Sequence, residues 1–174
     1  MKKIRNIAYI SLFAALMCVG AFICVPTTPP FTMQSFFIFL AILLLGTSRS
    51  FIALLVYVLL GLVGLPVFSS FQGGIGMLLS PSGGFIIGFL FIPAVFAFSL
   101  RLIKLNAFVS GIISLVVLYT VSVIWLILIG GIGFSQSSIS TAFMTCGMPF
   151  IIPDLLKLTL AIFIHKRIKG WIKL

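Results

Sequence analysis

Six stretches of the chain run almost without polar interruption, at residues 7–25, 33–47, 51–66, 84–100, 107–129 and 149–165. Their lengths predict helices that alternate across a lipid bilayer. The lengths are unequal. A helix of about 15 residues reaches roughly 22 Å, against a hydrocarbon core near 30 Å, so the second and third segments fall short of a full crossing. Both meet at Arg49, which puts the shortfall on the far face.

The polar positions between the apolar runs order them across the membrane. Lys2, Lys3 and Arg5 precede the first run, and Arg49 separates the second from the third. Arg101 and Lys104 separate the fourth from the fifth, and Lys166, Arg167, Lys169 and Lys173 follow the last. Every charged break falls on one side if the runs alternate. Under the positive-inside rule this predicts six spans with both termini cytoplasmic, in one membrane domain covering residues 1–174. The opposite connections, residues 25–33, 65–83 and 130–148, hold no Lys, Arg, Asp or Glu. The first two are rich in Pro and Gly yet carry Val25, Phe31, Val67, Phe68, Phe71, Met77 and Leu78, which a solvated loop does not favour. Irregular backbone at membrane depth is tolerated where it is buried in protein or lines a cavity, so these loops predict a pocket opening outward. The plainer alternative is an apolar plug.

Composition supports this. The 174 residues are 62% hydrophobic and 7% charged, with a mean hydropathy of +1.41, whereas soluble domains are about half apolar and one-quarter charged. The net charge of +10 does not indicate nucleic acid, because the basic residues are not clustered with stacking aromatics. They serve as topology signals and headgroup contacts. The charged start and apolar centre of "MKKIRNIAYISLFAALMCVGAFICV" imitate a secretory signal. No clean small-x-small cleavage site follows, and the run is long enough to span, so a retained first helix is expected.

Candidate chemistry is sparse. Asp154 is the sole acidic residue. It lies 12 residues before Lys166, about 18 Å up the last helix, near or beyond the bilayer midplane. Lys157 follows at i+3 on the same face and can pair with it. Buried ionisable groups in a membrane are functional candidates by default, the alternative being an ion pair that only fixes helix packing. Pro149 and Pro153 suggest that the regular helix starts near Pro153, which would place Asp154 at its positive dipole end. Cys18, Cys24 and Cys146 lack metal-site spacing, so no metal is expected. The Gly133-Phe134-Ser135-Gln136-Ser137 run lacks the last glycine of a nucleophile elbow, and Gly74-Ile75-Gly76 opens no dinucleotide fingerprint. His165 lies far from Asp154, so no acid, base and nucleophile set assembles and no enzyme activity or cofactor is expected. The chain also lacks a phosphate loop, so any active transport must draw ATP energy from a partner. In the first segment, Ala8, Ser11 and Ala15 form one small-residue stripe and Ala14, Cys18 and Ala21 another, suited to close helix contact inside or outside the bundle.

"PFTMQSFFIFLAILLLG", "GLPVFSSFQGGIGMLLSPSGGFIIGF" and "PFIIPDLLK" resemble, in order, three characteristic segments of the BioY family, the biotin-binding S components of energy-coupling factor (ECF) transporters. The resemblance runs from about residue 5 to residue 167. It implies the all-α, six-helix S-component fold in a bacterial cytoplasmic membrane, with biotin as substrate. It also implies a transmembrane coupling protein and two cytoplasmic ATPases as partners. Asp154 and Lys157 fall on the family's ligand-binding acid and lysine. Asp154 would accept from a ureido N–H and Lys157 would donate to the ureido oxygen, the reverse pose placing Lys157 on the valerate carboxylate. Gln34, Gln72, Phe68, Phe71 and Gly74 are further ligand candidates, and Ser11, Ala14, Ala15 and Cys18 are the docking candidates. The family's Gly-Pro-Thr-Gly-Gly loop here is Ser80-Pro81-Ser82-Gly83-Gly84, and its alanine docking motif is degenerate. Competing functions are an S component for riboflavin or thiamine and a ligand-free structural subunit.

Overall fold

The computed structural model describes residues 2–101, 103–130 and 136–168. Lys169, Lys173 and the Gly133–Ser135 part of the third outer connection lie outside the described residues. Among the described residues there are seven α-helices: α1 (Lys2–Phe22), α2 (Gln34–Leu45), α3 (Thr47–Leu62), α4 (Gly83–Arg101), α5 (Ala107–Gly130), α6 (Gln136–Cys146) and α7 (Met148–Ile168). A two-stranded antiparallel hairpin, β1 (Cys24–Val25) and β2 (Phe31–Thr32), joins α1 to α2.

Six of the helices coincide with the six apolar segments. α1, α4, α5 and the stretch Ser138–Ile168 are long and apolar enough to cross a membrane, while α2 and α3 are shorter. The 12 residues of α2 reach only about 18 Å. α6 falls where an uncharged connection was expected. Its serines and threonines interrupt the apolar run, but Ala142 and Cys146, four residues apart, are buried at 2% and 0% exposure, so a single helical face packs inward.

α2 and α3 are separated by Gly46 alone, whose φ of 81° requires glycine. The turn is therefore tighter than the segments predict, and Arg49 sits in the first turn of α3 rather than between helices. Its guanidinium reaches back to the Leu45 carbonyl at 3.5 Å. α3 ends at Leu62, and two short 3-10 turns, Ser69–Phe71 and Ile75–Leu79, shape the following loop.

That loop is partly buried, as its apolar content predicts. Phe68 is 2% exposed and sits on Gly61, where an added Cβ would fall 2.2 Å from its ring. The Tyr57 hydroxyl donates to the Val67 carbonyl at 3.2 Å, and the Trp125 indole N–H to the Leu78 carbonyl at 2.8 Å. Phe71, Ile75 and Leu79 instead remain exposed.

The core is built from residues such as Met17, Phe39, Leu54, Ile92 and Leu158, each fully buried. α4 and α5 approach closely because Gly84 faces the Ser122 backbone. A Cβ at Gly84 would lie 2.7 Å from Ser122 Cα and 2.8 Å from Trp125 Cβ, atoms that cannot swing aside. Gly84→Val is expected to destabilise the fold by about 1–3 kcal/mol, the usual cost of overpacking, seen as a lowered thermal midpoint in detergent. An unchanged midpoint would mean that the two helices are not held at this separation.

Candidate functional site

Between the hairpin, the start of α2, the first two turns of α4 and the first half of α7 lies a cleft enclosing about 510 Å³ counted out to its open mouth. Its walls are mainly aromatic and aliphatic, with Phe68, Phe85, Phe89 and Phe150 among them, and its polar groups include Gln34, Ser35, Asp154 and Lys157. An apolar cavity with a few convergent polar groups is the form a ligand site takes.

Each polar group is placed by a different element. α7 begins at Met148 rather than near Pro153, so Asp154 sits in its second turn, beyond the reach of the dipole effect confined to the first turn. Proline is tolerated within membrane helices because neighbouring groups re-satisfy the freed backbone. The acid is held by side chains instead. Its Oδ1 accepts from Ser35 Oγ at 2.8 Å and from Lys157 Nζ at 2.8 Å, and its Oδ2 accepts from Tyr119 Oη at 2.8 Å. Lys157 Nζ also donates to the Thr32 carbonyl at 2.5 Å, lies 3.3 Å from Ser35 Oγ, and sits 3.9 Å from the centre of the Phe31 ring. Asp154 and Lys157 are 3% and 5% exposed. Two charges so far from water are tolerated only when paired and further hydrogen-bonded, a condition this cluster meets from α2, α5, α7 and the hairpin.

Gln34 differs from the rest. It is 5% exposed and lines the cleft, yet its Nε2 has no hydrogen-bond partner among the described residues. A buried amide without an acceptor costs about 1–3 kcal/mol, and one facing a cleft is met by water or by a ligand's acceptor.

The structure gathers Asp154, Lys157, Gln34 and Phe68 around one cleft and leaves the other three ligand candidates outside it. Gln72 is exposed. Phe71 is 66% exposed and stacks on Phe22 with centroids 4.4 Å apart. Gly74 turns the chain at φ 94° and bonds through its N–H to the Gly61 carbonyl at 2.7 Å. Of the small residues on α1, Ser11 and Ala15 are exposed, whereas Ala14 is 4% exposed in the core. Cys18 is half-buried and donates to the Ala14 carbonyl at 3.3 Å. Ala14 therefore faces the bundle, and of the four docking candidates only Ser11 and Ala15 remain on the outer stripe, in line with exposed Ala8.

Sequence reasoning missed Ser35, Tyr119 and the Thr32 carbonyl. A tyrosine inside an apolar span must find a partner for its hydroxyl, so Tyr119 carried a signal. The backbone carbonyl of Thr32 carried none.

A helical protein with membrane-length apolar helices and a mainly apolar cleft that holds a few polar groups and one buried ion pair has the form of a ligand-binding membrane protein. Comparison with known proteins narrows that class. The sequence model of the BioY family matches residues 1–173. A probable biotin transporter BioY of Pyrococcus horikoshii is 38% identical over 169 residues, 97% of this chain and 98% of that protein. The biotin transporter BioY of Thermotoga maritima is 38% identical over 170 residues, 95% and 96% of the two chains. The crystal structure of the S-component for biotin from an ECF-type ABC transporter superposes with a TM-score of 0.79 at 29% identity, covering 97% of this chain and 93% of that one. The chain belongs to the BioY family, and its fold is that of the ECF S component.

Proposed function

We propose that this multi-pass membrane protein captures biotin in the cleft around Asp154 and Lys157 and acts as the substrate-binding subunit of an ECF-type transporter. It would sit in the bacterial cytoplasmic membrane with both termini inside. The observation that carries the ligand reading is the Asp154–Lys157 ion pair buried in the wall of a cleft, with Gln34 Nε2 lining the same cleft and making no well-formed hydrogen bond among the described residues.

The chemistry favours one pose. The pair sums to zero charge, so drawing the valerate carboxylate beside it would leave a net negative charge in a low dielectric. The uncharged ureido ring meets no such penalty and belongs at the pair, with the tail toward the mouth. Asp154 Oδ2, which among the described residues accepts only from Tyr119, keeps a lone pair for a ureido N–H. The three protons of Lys157 already face Thr32, Ser35 and Asp154, so donation to the ureido oxygen requires one of these bonds to be exchanged. Gln34 offers its free N–H groups without any exchange. Phe68 would wall the ring system.

No enzymatic step is involved, and no cofactor is needed beyond ATP used by partners. A transmembrane coupling protein and two cytoplasmic ATPases would supply the energy, docking on the outer stripe of α1. Titration of the purified protein with biotin, riboflavin and thiamine tests this reading. Saturable binding of biotin alone is expected; a preference for either other vitamin, or no binding at all, would overturn it.

Phe68, Ser69 and Ser82 of the 63–82 loop line the cleft, so a bound ligand would hold the loop against the bundle. Backbone hydrogen exchange across residues 63–82 is expected to slow when biotin is added. Equal exchange with and without biotin would make the loop a static plug.

A further inference from the structure

Of the residues that line the cleft, Pro30, Thr32, Ser82 and Phe85 are half-buried and the others are buried, so these four form its mouth. None of them is charged. Two present apolar surface and two present hydroxyls, and the Thr32 hydroxyl, which accepts from the Gln34 backbone N–H at 3.4 Å, keeps its own proton to donate.

The basic residues lie elsewhere. Lys157 is the sole one between Lys104 and His165, and no Lys, Arg or His falls between Arg5 and Arg49 or between Arg49 and Arg101. Lys157 directs its protons at Thr32, Ser35 and Asp154, and its charge is cancelled by Asp154 at 2.8 Å. Arg101 follows Phe89 of the cleft wall by twelve residues and Lys166 follows Lys157 by nine, about 18 Å and 14 Å along helices that run away from the mouth. Both distances exceed the Debye length of about 8 Å at physiological ionic strength, so neither charge holds an exposed anion there.

The start of α4 adjoins the mouth at Ser82, and a helix start can bind an anion through its free N–H groups. Here they are spent within the chain. The Gly83 N–H donates to the Ser80 carbonyl at 2.9 Å, and those of Phe85 and Ile86 donate to the Ser82 carbonyl at 3.1 and 3.2 Å. A site that selects a carboxylate meets it with charge-assisted donors from Lys or Arg. A hydroxyl both donates and accepts, and serves a carboxylate, an amide or an ester alike.

We propose that the cleft reads biotin by its ring system alone and accepts the neutral carboxyl derivatives, biotin amides and esters, as readily as the free acid. This inference rests on the biotin reading and on the pose that turns the valerate tail toward the mouth.

Displacement of labelled biotin from the purified full chain by unlabelled biotin, biotin amide and biotin methyl ester tests it. The amide and the ester are expected to bind within about fivefold of the acid. Ser82→Lys, which sets a cation at the mouth, should shift the ratio of acid to amide affinity about fivefold toward the acid, the equivalent of about 1 kcal/mol for unit charges 4 Å apart in water. Pro30→Lys serves the same purpose if the first variant fails to fold, with the thermal midpoint as the check. If biotin binds and its amide and ester bind more than about fivefold more weakly, the inference falls and the biotin reading stands. Failure of biotin itself to bind would overturn both. An unchanged ratio in a folded lysine variant would place the tail away from the mouth and overturn the inference alone.

Discussion

Asp154→Asn is expected to weaken biotin binding roughly 30- to 4,000-fold, equivalent to about 2–5 kcal/mol, while the protein still folds. The substitution keeps the shape of the side chain but exchanges one acceptor oxygen for a donor. It also leaves the Lys157 ammonium buried without its counter-charge. Ser35 and Tyr119, which now donate to separate oxygens of the acid, would compete for the single amide oxygen, and the lone pair assigned to the ureido N–H disappears. Titration calorimetry on the purified variant, with its thermal midpoint as the check on folding, measures the effect. Wild-type affinity in a folded variant would remove the acid from the site. The double replacement Asp154→Leu with Lys157→Met separates binding from stability, because an apolar pair of similar volume commonly replaces a buried ion pair at little cost. It should therefore melt near the wild-type temperature and bind no biotin.

Ala15→Trp is expected to abolish biotin uptake driven by the coupling protein and the ATPases, and to leave biotin binding by the isolated protein unchanged. Ala15 lies on the exposed stripe of α1, one turn from exposed Ser11, and small residues permit the close approach on which helix association in lipid depends. A tryptophan there would hold a partner helix away without entering the core. Ala14→Trp is not an equivalent test, because Ala14 is 4% exposed within the core and a large ring there would disturb the bundle itself. Co-purification with the coupling protein and uptake of labelled biotin are the measurements. Assembly and transport at wild-type levels by Ala15→Trp would place the docking surface elsewhere.

The helices were legible in the chain because an apolar run of spanning length has few alternatives, and the charged breaks separated the runs. α6 was not, since its hydroxyl residues mask a narrow buried face. The last apolar run began within one residue of α7, but the reading that put Asp154 at the positive end of the helix failed, because a proline reads as a helix beginning whereas a packed membrane helix can carry Pro153 in its interior. At the site, the Asp154–Lys157 pair followed directly from i+3 spacing. Ser35 and Tyr119 did not, because their relation to Asp154 spans 119 and 35 residues of chain and exists only once the helices pack. The loop residues failed for a related reason. Phe68 drops into the notch above Gly61, after which Ser70 and Phe71, both at φ 57°, turn the chain so that Phe71 and Gln72 face outward. Tertiary contact sets that reversal, and no local pattern announces it.

A structure of the protein with biotin bound tests the central claim most directly. The account predicts the ureido ring in the cleft, with an N–H within hydrogen-bonding distance of Asp154 Oδ2, the ureido oxygen facing Gln34 or Lys157, and the valerate carboxylate toward the mouth. Biotin bound anywhere away from Asp154 and Gln34, or bound with its carboxylate against the Asp154–Lys157 pair, would contradict it.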